Sequence, residues 1–221
     1  MDDRSPSPQS RFLSARLRMV EQQLQRRGIY DPAVLTAMRT VPRHEFVLPE
    51  DLDQAYGDYP LSIGYDQTIS QPYIVASMTQ ELRIDKTSRV LEIGTGCGYQ
   101  SAILAEVCRH VYSIECIPEL LRAAAERLER LGCANVTTRV GDGSRGWPEF
   151  APFDGILVAA AATEVPPALL GQLADPGRML IPLGIHLFDQ QLVLIEKKGG
   201  RISQTELYGV RFVPLRISGL N

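Results

Sequence analysis

From Arg89 onward the chain alternates short apolar runs with helical runs, and this restricts the fold more than any other feature. RVLEI reads as a strand, GTGCGY as a glycine turn and QSAILAEVC as a helix. HVYSIE is a second strand, followed by a helix PELLRAAAERLERL with Pro118 near its start and Gly132 after it. NVTTRV and FDGILVA supply a third and a fourth strand, and VPPALLGQL another helix. RMLIPLG, QQLVLIEKK and ISQTELYGVRFVPL supply the remaining strands. Repeated strand–helix units place the strands parallel between two helical layers. The expected class is therefore α/β, a doubly wound, mainly parallel sheet. Its crossovers are right-handed, and its ligand crevice lies at the carboxyl ends of the strands.

The 221 residues hold one such unit with an N-terminal extension. We divide the chain into a disordered tail (1–10), a helical and substrate-contacting segment (11–88) and the sheet domain (89–221). The last two form one compact unit. Leu13, Leu17, Val20 and Leu24 mark a helix over 12–27 that stops at Gly28. Asp31-Pro32 caps and starts a second helix, which ends before Pro42. Residues 49–70 read as irregular, and a new helix starts at Gln71-Pro72.

Lys and Arg total 23 against 26 Asp and Glu, a net charge of −3, without the basic excess of a phosphate-binding surface. A nucleic-acid partner is not expected. Seven arginines between Arg11 and Arg43 read as a solvated helix face. No apolar run approaches the ~18 residues that span a bilayer, and MDDRSPSPQS lacks the apolar core of a signal peptide. Cys97, Cys108, Cys116 and Cys133 form no C-x-x-C pair, and His44, His110 and His186 have no metal-ligand spacing. The expectation is free thiols in the cytoplasm, with no membrane partner and no metal.

The glycine turn Gly94-Thr95-Gly96-Cys97-Gly98 has the spacing G-x-G-x-G, and Tyr99 stands where a dinucleotide fingerprint has its third glycine. Glu92, just before the loop, suits a cationic ligand better than a diphosphate. Glu115 ends the second strand, 17 residues after Gly98, where a carboxylate accepts the two hydroxyls of a ribose. Asp142, beside Gly143 at the end of the third strand, is placed to meet the edge of an adenine. Together they describe a nucleoside with a cationic tail and no phosphate, and S-adenosylmethionine has that chemistry.

For the methyl acceptor, the chain after the fourth strand, Leu157 to Thr163, carries no Asn-Pro-Pro-aromatic tetrapeptide, which disfavours flipped-base chemistry. Thr68-Ile69-Ser70-Gln71 opens a helix, where free N–H groups and the helix dipole favour an anion such as a carboxylate. The alternative is that Ser70 only caps that helix. Methylation of a small-molecule carboxylate and a non-catalytic cofactor-binding module are the competing functional readings.

YDQTISQPYIVA, LEIGTGCGY, VYSIE, GDG, FDGILVAAAATEVPPALLGQL and VRFVPL closely resemble the protein-L-isoaspartate O-methyltransferase family over residues 12–215. The resemblance implies a Rossmann-like class I S-adenosylmethionine-dependent fold and methylation of isoaspartyl residues in damaged proteins and peptides. It further implies that the ester collapses to a succinimide without the enzyme. Ser70 matches the family's active-site serine. Thr68, Ile69 and Gln71, with Val210, Arg211, Phe212 and Val213, would flank the substrate. Glu92, Gly94, Thr95, Gly96, Gly98, Glu115, Asp142 and Gly143 would hold the cofactor. The family usually has glycine where this chain has Asp66, and often arginine where it has Cys116. Asp66 is expected to point to solvent.

Overall fold

The computed structural model describes residues 8–186 and 189–216. Residues 1–7 of the proposed tail lie outside the described residues. Pro8 to Ser10, assigned from sequence to the tail, instead form the first turn of helix α1 (Pro8–Met19). The helical path continues as a π turn, Val20–Leu24, and a 3-10 turn, Gln25–Arg27. Gly28 ends it at φ 89°, a left-handed conformation that glycine adopts without strain.

Helix α2 (Pro32–Thr40) starts where its cap predicts. Asp31 Oδ1 accepts from the N–H groups of Ala33 at 2.8 Å and Val34 at 3.2 Å. Residues 49–70 are more regular than expected. They contain a 3-10 turn, Pro49–Gln54, and a hairpin of β1 (Leu61–Gly64) and β2 (Gln67–Ile69). The hairpin's two connecting residues, Tyr65 and Asp66, have φ of 55° and 57°. A two-residue loop of this kind needs positive φ at both positions and normally announces itself through Asn-Gly or Gly-Gly. Tyr-Asp hides the signal, although Asp tolerates the left-handed region. Asp66 is exposed, as expected.

Helix α3 (Pro72–Leu82) leads into the main sheet. Its strands are β3 (Arg89–Ile93), β4 (His110–Glu115), β5 (Val136–Val140), β6 (Phe153–Val158), β7 (Leu173–Leu183), β8 (Gln191–Lys198) and β9 (Arg201–Gly209). Their order is β5-β4-β3-β6-β7-β8-β9, parallel up to β7 and antiparallel beyond it. The linking helices are α4 (Tyr99–Val107), α5 (Pro118–Arg130) and α6 (Pro167–Gln172). Chain order reverses at β3, which pairs with β4 on one side and β6 on the other. The chains leaving β3 and β6 therefore diverge and open a crevice.

Alternation along β3 serves two cores. Val90 packs with α2, α3 and α4 on one face, and Leu91 and Ile93 pack with Phe153, Trp147 and Leu169 on the other. β9 is an edge strand whose exposed Arg201, Gln204 and Glu206 suit solvent. The last expected run, ISQTELYGVRFVPL, is strand only in its first part, as β9. The sheet ends at Gly209, and Val210 to Arg216 form an extended strip that crosses the carboxyl ends of the strands. The side chain and main chain of Gln190 hold it at Val210 and Phe212. Ala161 N–H donates to Val213 O at 2.8 Å, and Leu215 N–H donates to Ala161 O at 2.7 Å. An apolar run satisfied this way is indistinguishable from a strand in sequence.

Asp31→Ala removes both cap bonds of α2 and should lower stability by about 1 kcal/mol in a denaturant titration. An unchanged midpoint and slope would show that the cap does not hold the helical layer.

Candidate active site

Two cavities open at the carboxyl ends of the strands and share a wall made of Thr68, Ser70, Ala159 and Val213. Gly94, Thr95, Gly96, Glu115 and Gly143 line the first. The second lies between Gln71 and Ser70 on one side and Val210, Arg211, Phe212 and Val213 on the other. Ile69 is buried against the first cavity.

The loop after β3 needs glycine for its backbone: φ is 94° at Gly94, 54° at Gly96 and 91° at Gly98. Gly98 lines neither of these two cavities. It starts α4, and a side chain there would crowd Leu128 at 3.3 Å. Gly143 has no room for one, since a Cβ would stand 2.2 Å from Ile93 Cγ2.

Glu115 ends β4 with its carboxylate fixed by main-chain donors. Gly96 N–H reaches Oε2 at 2.8 Å, and the N–H groups of Cys116 and Ile117 reach Oε1 at 2.9 and 3.0 Å. One side chain thus ties the glycine loop to the end of the neighbouring strand while still facing the cavity. A carboxylate offers about four lone-pair positions, so three main-chain donors leave one, on Oε2, for a ribose hydroxyl. Cys116, next to it, is exposed and also lines the cavity.

Glu92 and Asp142 depart from expectation. Glu92 faces away from the cavity and is wholly buried. Its Oε2 accepts from Ser101 Oγ and, at 2.5 Å, from Ser113 Oγ, while Oε1 has no partner. Ser113 Oγ lies 2.7 Å from Thr95 Oγ1, so Glu92 reaches the loop only through a chain of hydroxyls. Strand alternation turns it inward, toward α4. Burial raises its pKa to about 7 against the opposing effect of the two serine hydrogen bonds. Asp142 caps the 3-10 turn Gly143–Arg145, accepting at Oδ1 from Ser144 N–H at 2.9 Å and Ser144 Oγ at 2.7 Å. The neighbouring Gly143, rather than the Asp142 side chain, reaches the cavity.

The N-terminus of α3 differs too. Gln71 is its N-cap residue, and Ser70 precedes it. Asp58 already occupies this end. Its Oδ1 accepts from Tyr73 N–H at 3.4 Å, its Oδ2 from Gln71 Nε2 at 2.7 Å, and it pairs with Arg27. An internal carboxylate thus answers the helix dipole that the sequence suggested for a substrate. Ser70 is not the N-cap residue, and it lines both cavities.

Sequence reasoning missed Ile63, Ala159, Gln190 and Pro214 as cavity walls. Ala159 was accessible, because it follows β6 at the strand reversal. The others arrive from the hairpin, the β8 entry and the strip.

Comparison with known proteins decides the family. The profile described as Protein-L-isoaspartate(D-aspartate) O-methyltransferase matches residues 15–218. The chain belongs to this family. It is 52% identical over 205 residues to the Protein-L-isoaspartate O-methyltransferase of Picosynechococcus sp., covering 92% of this chain and 91% of that one. It is 56% identical to that of Opitutus terrae, covering 89% and 84% of the two chains. Among solved structures, one named protein-L-isoaspartate O-methyltransferase superposes with a TM-score of 0.80 at 32% identity, over 90% of this chain and 65% of that one. A Plasmodium falciparum chain described as a member of the same family, in complex with S-adenosyl-L-homocysteine, gives a TM-score of 0.78 at 27% identity, over 93% and 98%. The fold is accordingly the Rossmann-like one of S-adenosylmethionine-dependent methyltransferases. The carboxylate at Glu115 and the glycine loop fit that cofactor's nucleoside.

Two outcomes follow. Glu115→Ala should weaken S-adenosylhomocysteine binding by about 1.5–3 kcal/mol in calorimetry, the size of a hydrogen bond to a charged group; unchanged affinity in a folded variant removes Glu115 from the site. Glu92 has a raised folded-state pKa, so its contribution to stability is full below its unfolded value of 4.5 and is lost as pH rises to about 7. Glu92→Gln cannot titrate. Its stability relative to the parent, measured by denaturant unfolding, should therefore improve between pH 5 and pH 8, and a constant difference would contradict the assignment.

Proposed function

We infer that this protein transfers the methyl group of S-adenosylmethionine to the free carboxylate of L-isoaspartyl residues in damaged proteins and peptides, the first step of their repair. Family membership supports the reaction. The observation that carries the site assignment is the shared wall, because a group held in the second cavity at Ser70 faces the first across Thr68 and Ala159.

The cofactor supplies a methyl group on a positive sulfonium. Glu115, the Gly94–Gly98 loop and Gly143 would hold its nucleoside end. Glu92 and Ser113 fix Thr95, and so set the loop from below. The acceptor carboxylate is ionised at neutral pH and needs no general base. The work of the chain is to strip water from a weak nucleophile and align it. Such orientation supplies about 7–11 kcal/mol of a barrier. Ser70 donates to one carboxylate oxygen and leaves the other to react. Thr68, Gln71 and the strip 210–213 hold the peptide. Attraction between carboxylate and sulfonium is strong in a dry site, so the site must favour the neutralised transition state over the bound ion pair.

Four cysteines without disulfide partners accord with a cytoplasmic, reducing location, which cell fractionation would test. Among the described residues no helix is long and apolar enough to cross a membrane.

The direct test offers labelled S-adenosylmethionine with an isoaspartyl peptide and its aspartyl twin. Label should pass to the isoaspartyl peptide alone; transfer to both, or to neither, overturns the reading. Ser70→Ala removes one hydrogen bond to a charged group and should lower kcat/KM about 10- to 150-fold. Affinity for S-adenosylhomocysteine should hold. Equal activity of variant and parent would remove Ser70 from the chemistry.

A further inference from the structure

The walls of the second cavity are polar but, among the described residues, carry formal charge at one position, Arg211. Thr68, Ser70, Gln71, Gln190 and Gln191 contribute only neutral groups. Behind this wall, Asp58 is bonded to Gln71 and paired with Arg27.

The backbone around Arg211 is held rigidly. Gln190 is 4% exposed, and its carboxamide matches both polar groups of Phe212: Phe212 N–H donates to Oε1 at 2.6 Å, and Nε2 donates to Phe212 O at 3.0 Å. Val210 N–H donates to Gln190 O at 2.9 Å. A side chain thus stands in for a neighbouring strand. Val210 and Phe212 are buried, and Arg211 between them is exposed. Arg211 lines the second cavity and is absent from the first, so it stands beside the peptide and away from the reacting atoms.

We propose that Arg211, presented by the Gln190 clamp, is a specificity residue that favours acceptor peptides with a second carboxylate beside the isoaspartyl residue. The proposal rests on the reading of the second cavity as the acceptor site. A guanidinium on a fixed backbone offers a planar pair of donors to such a carboxylate. The mouth is wet, so the attraction acts over about a Debye length and weakens with salt.

The test uses three isoaspartyl peptides of equal length whose flanking residues are glutamate, glutamine or lysine. The full-length protein should favour the glutamate peptide over the lysine peptide by about 5- to 10-fold in kcat/KM at low salt, mostly through KM, and high salt should shrink the ratio. Arg211→Lys should keep the preference, Arg211→Gln should bring the ratio near one, and Arg211→Glu should invert it. Calorimetry with S-adenosylhomocysteine verifies that each variant is folded with an intact first cavity. A merely structural role for Arg211 would not invert a charge preference. No flank preference in the parent, or the same preference in Arg211→Glu, overturns the proposal. Equal loss on all three peptides also overturns it, and places Arg211 on the acceptor carboxylate itself. If the parent methylates none of the three, the functional reading fails and the proposal falls with it.

Discussion

The parallel pairing of β3 with β4 on one side and β6 on the other is the constraint on which the rest depends. The ends of β3 and β6 are adjacent, yet their connections leave for opposite faces of the sheet. A cleft at that point is a consequence of topology and needs no side chain to create it. Each element of the site is a chain segment leaving or crossing this edge. The glycine loop follows β3, Glu115 ends β4, Ala159 follows β6, and the strip of residues 210–216 lies across them.

Rigidity at this edge comes from buried polar bonds as much as from packing. The Glu115 carboxylate binds three main-chain N–H groups and joins two loops. Glu92 binds Ser101 on α4 and Ser113 on β4 and reaches Thr95 through the latter. Burying Glu92 with one oxygen unpartnered is costly, and its raised pKa records the cost. The chain thus holds one acid at the cavity and a second beneath it. They lie 23 residues apart in sequence and do different work.

The acceptor side depends on a different device. Asp58 occupies the N-terminus of α3, which removes that helix end as an anion trap and orients Gln71. Gln190 performs the corresponding task across the cavity by supplying the hydrogen bonds that a further strand would otherwise provide. The two walls meet at Ser70 and Val213, where the cavities join.

Local chemistry determined much of this in advance. Apolar periodicity and glycine or proline at the boundaries located most of the helices and strands from Arg89 to Lys198, because burial against the sheet forces such a pattern. The glycine loop, Glu115 and Ser70 were legible because their positions follow from strand ends and a helix start. Tertiary structure alone decided which way the side chains act. Glu92 and Asp142 are adjacent to the cavity in sequence but are turned to a core and to a turn, since strand alternation and capping set direction. The hairpin at 61–69 was invisible because its turn uses Tyr-Asp in place of glycine. The run at 210–215 carries a strand's composition, yet its partner is the Gln190 side chain and the main chain of Ala161. Partnerships between residues distant along the chain leave no periodic trace, and only folding brings them together.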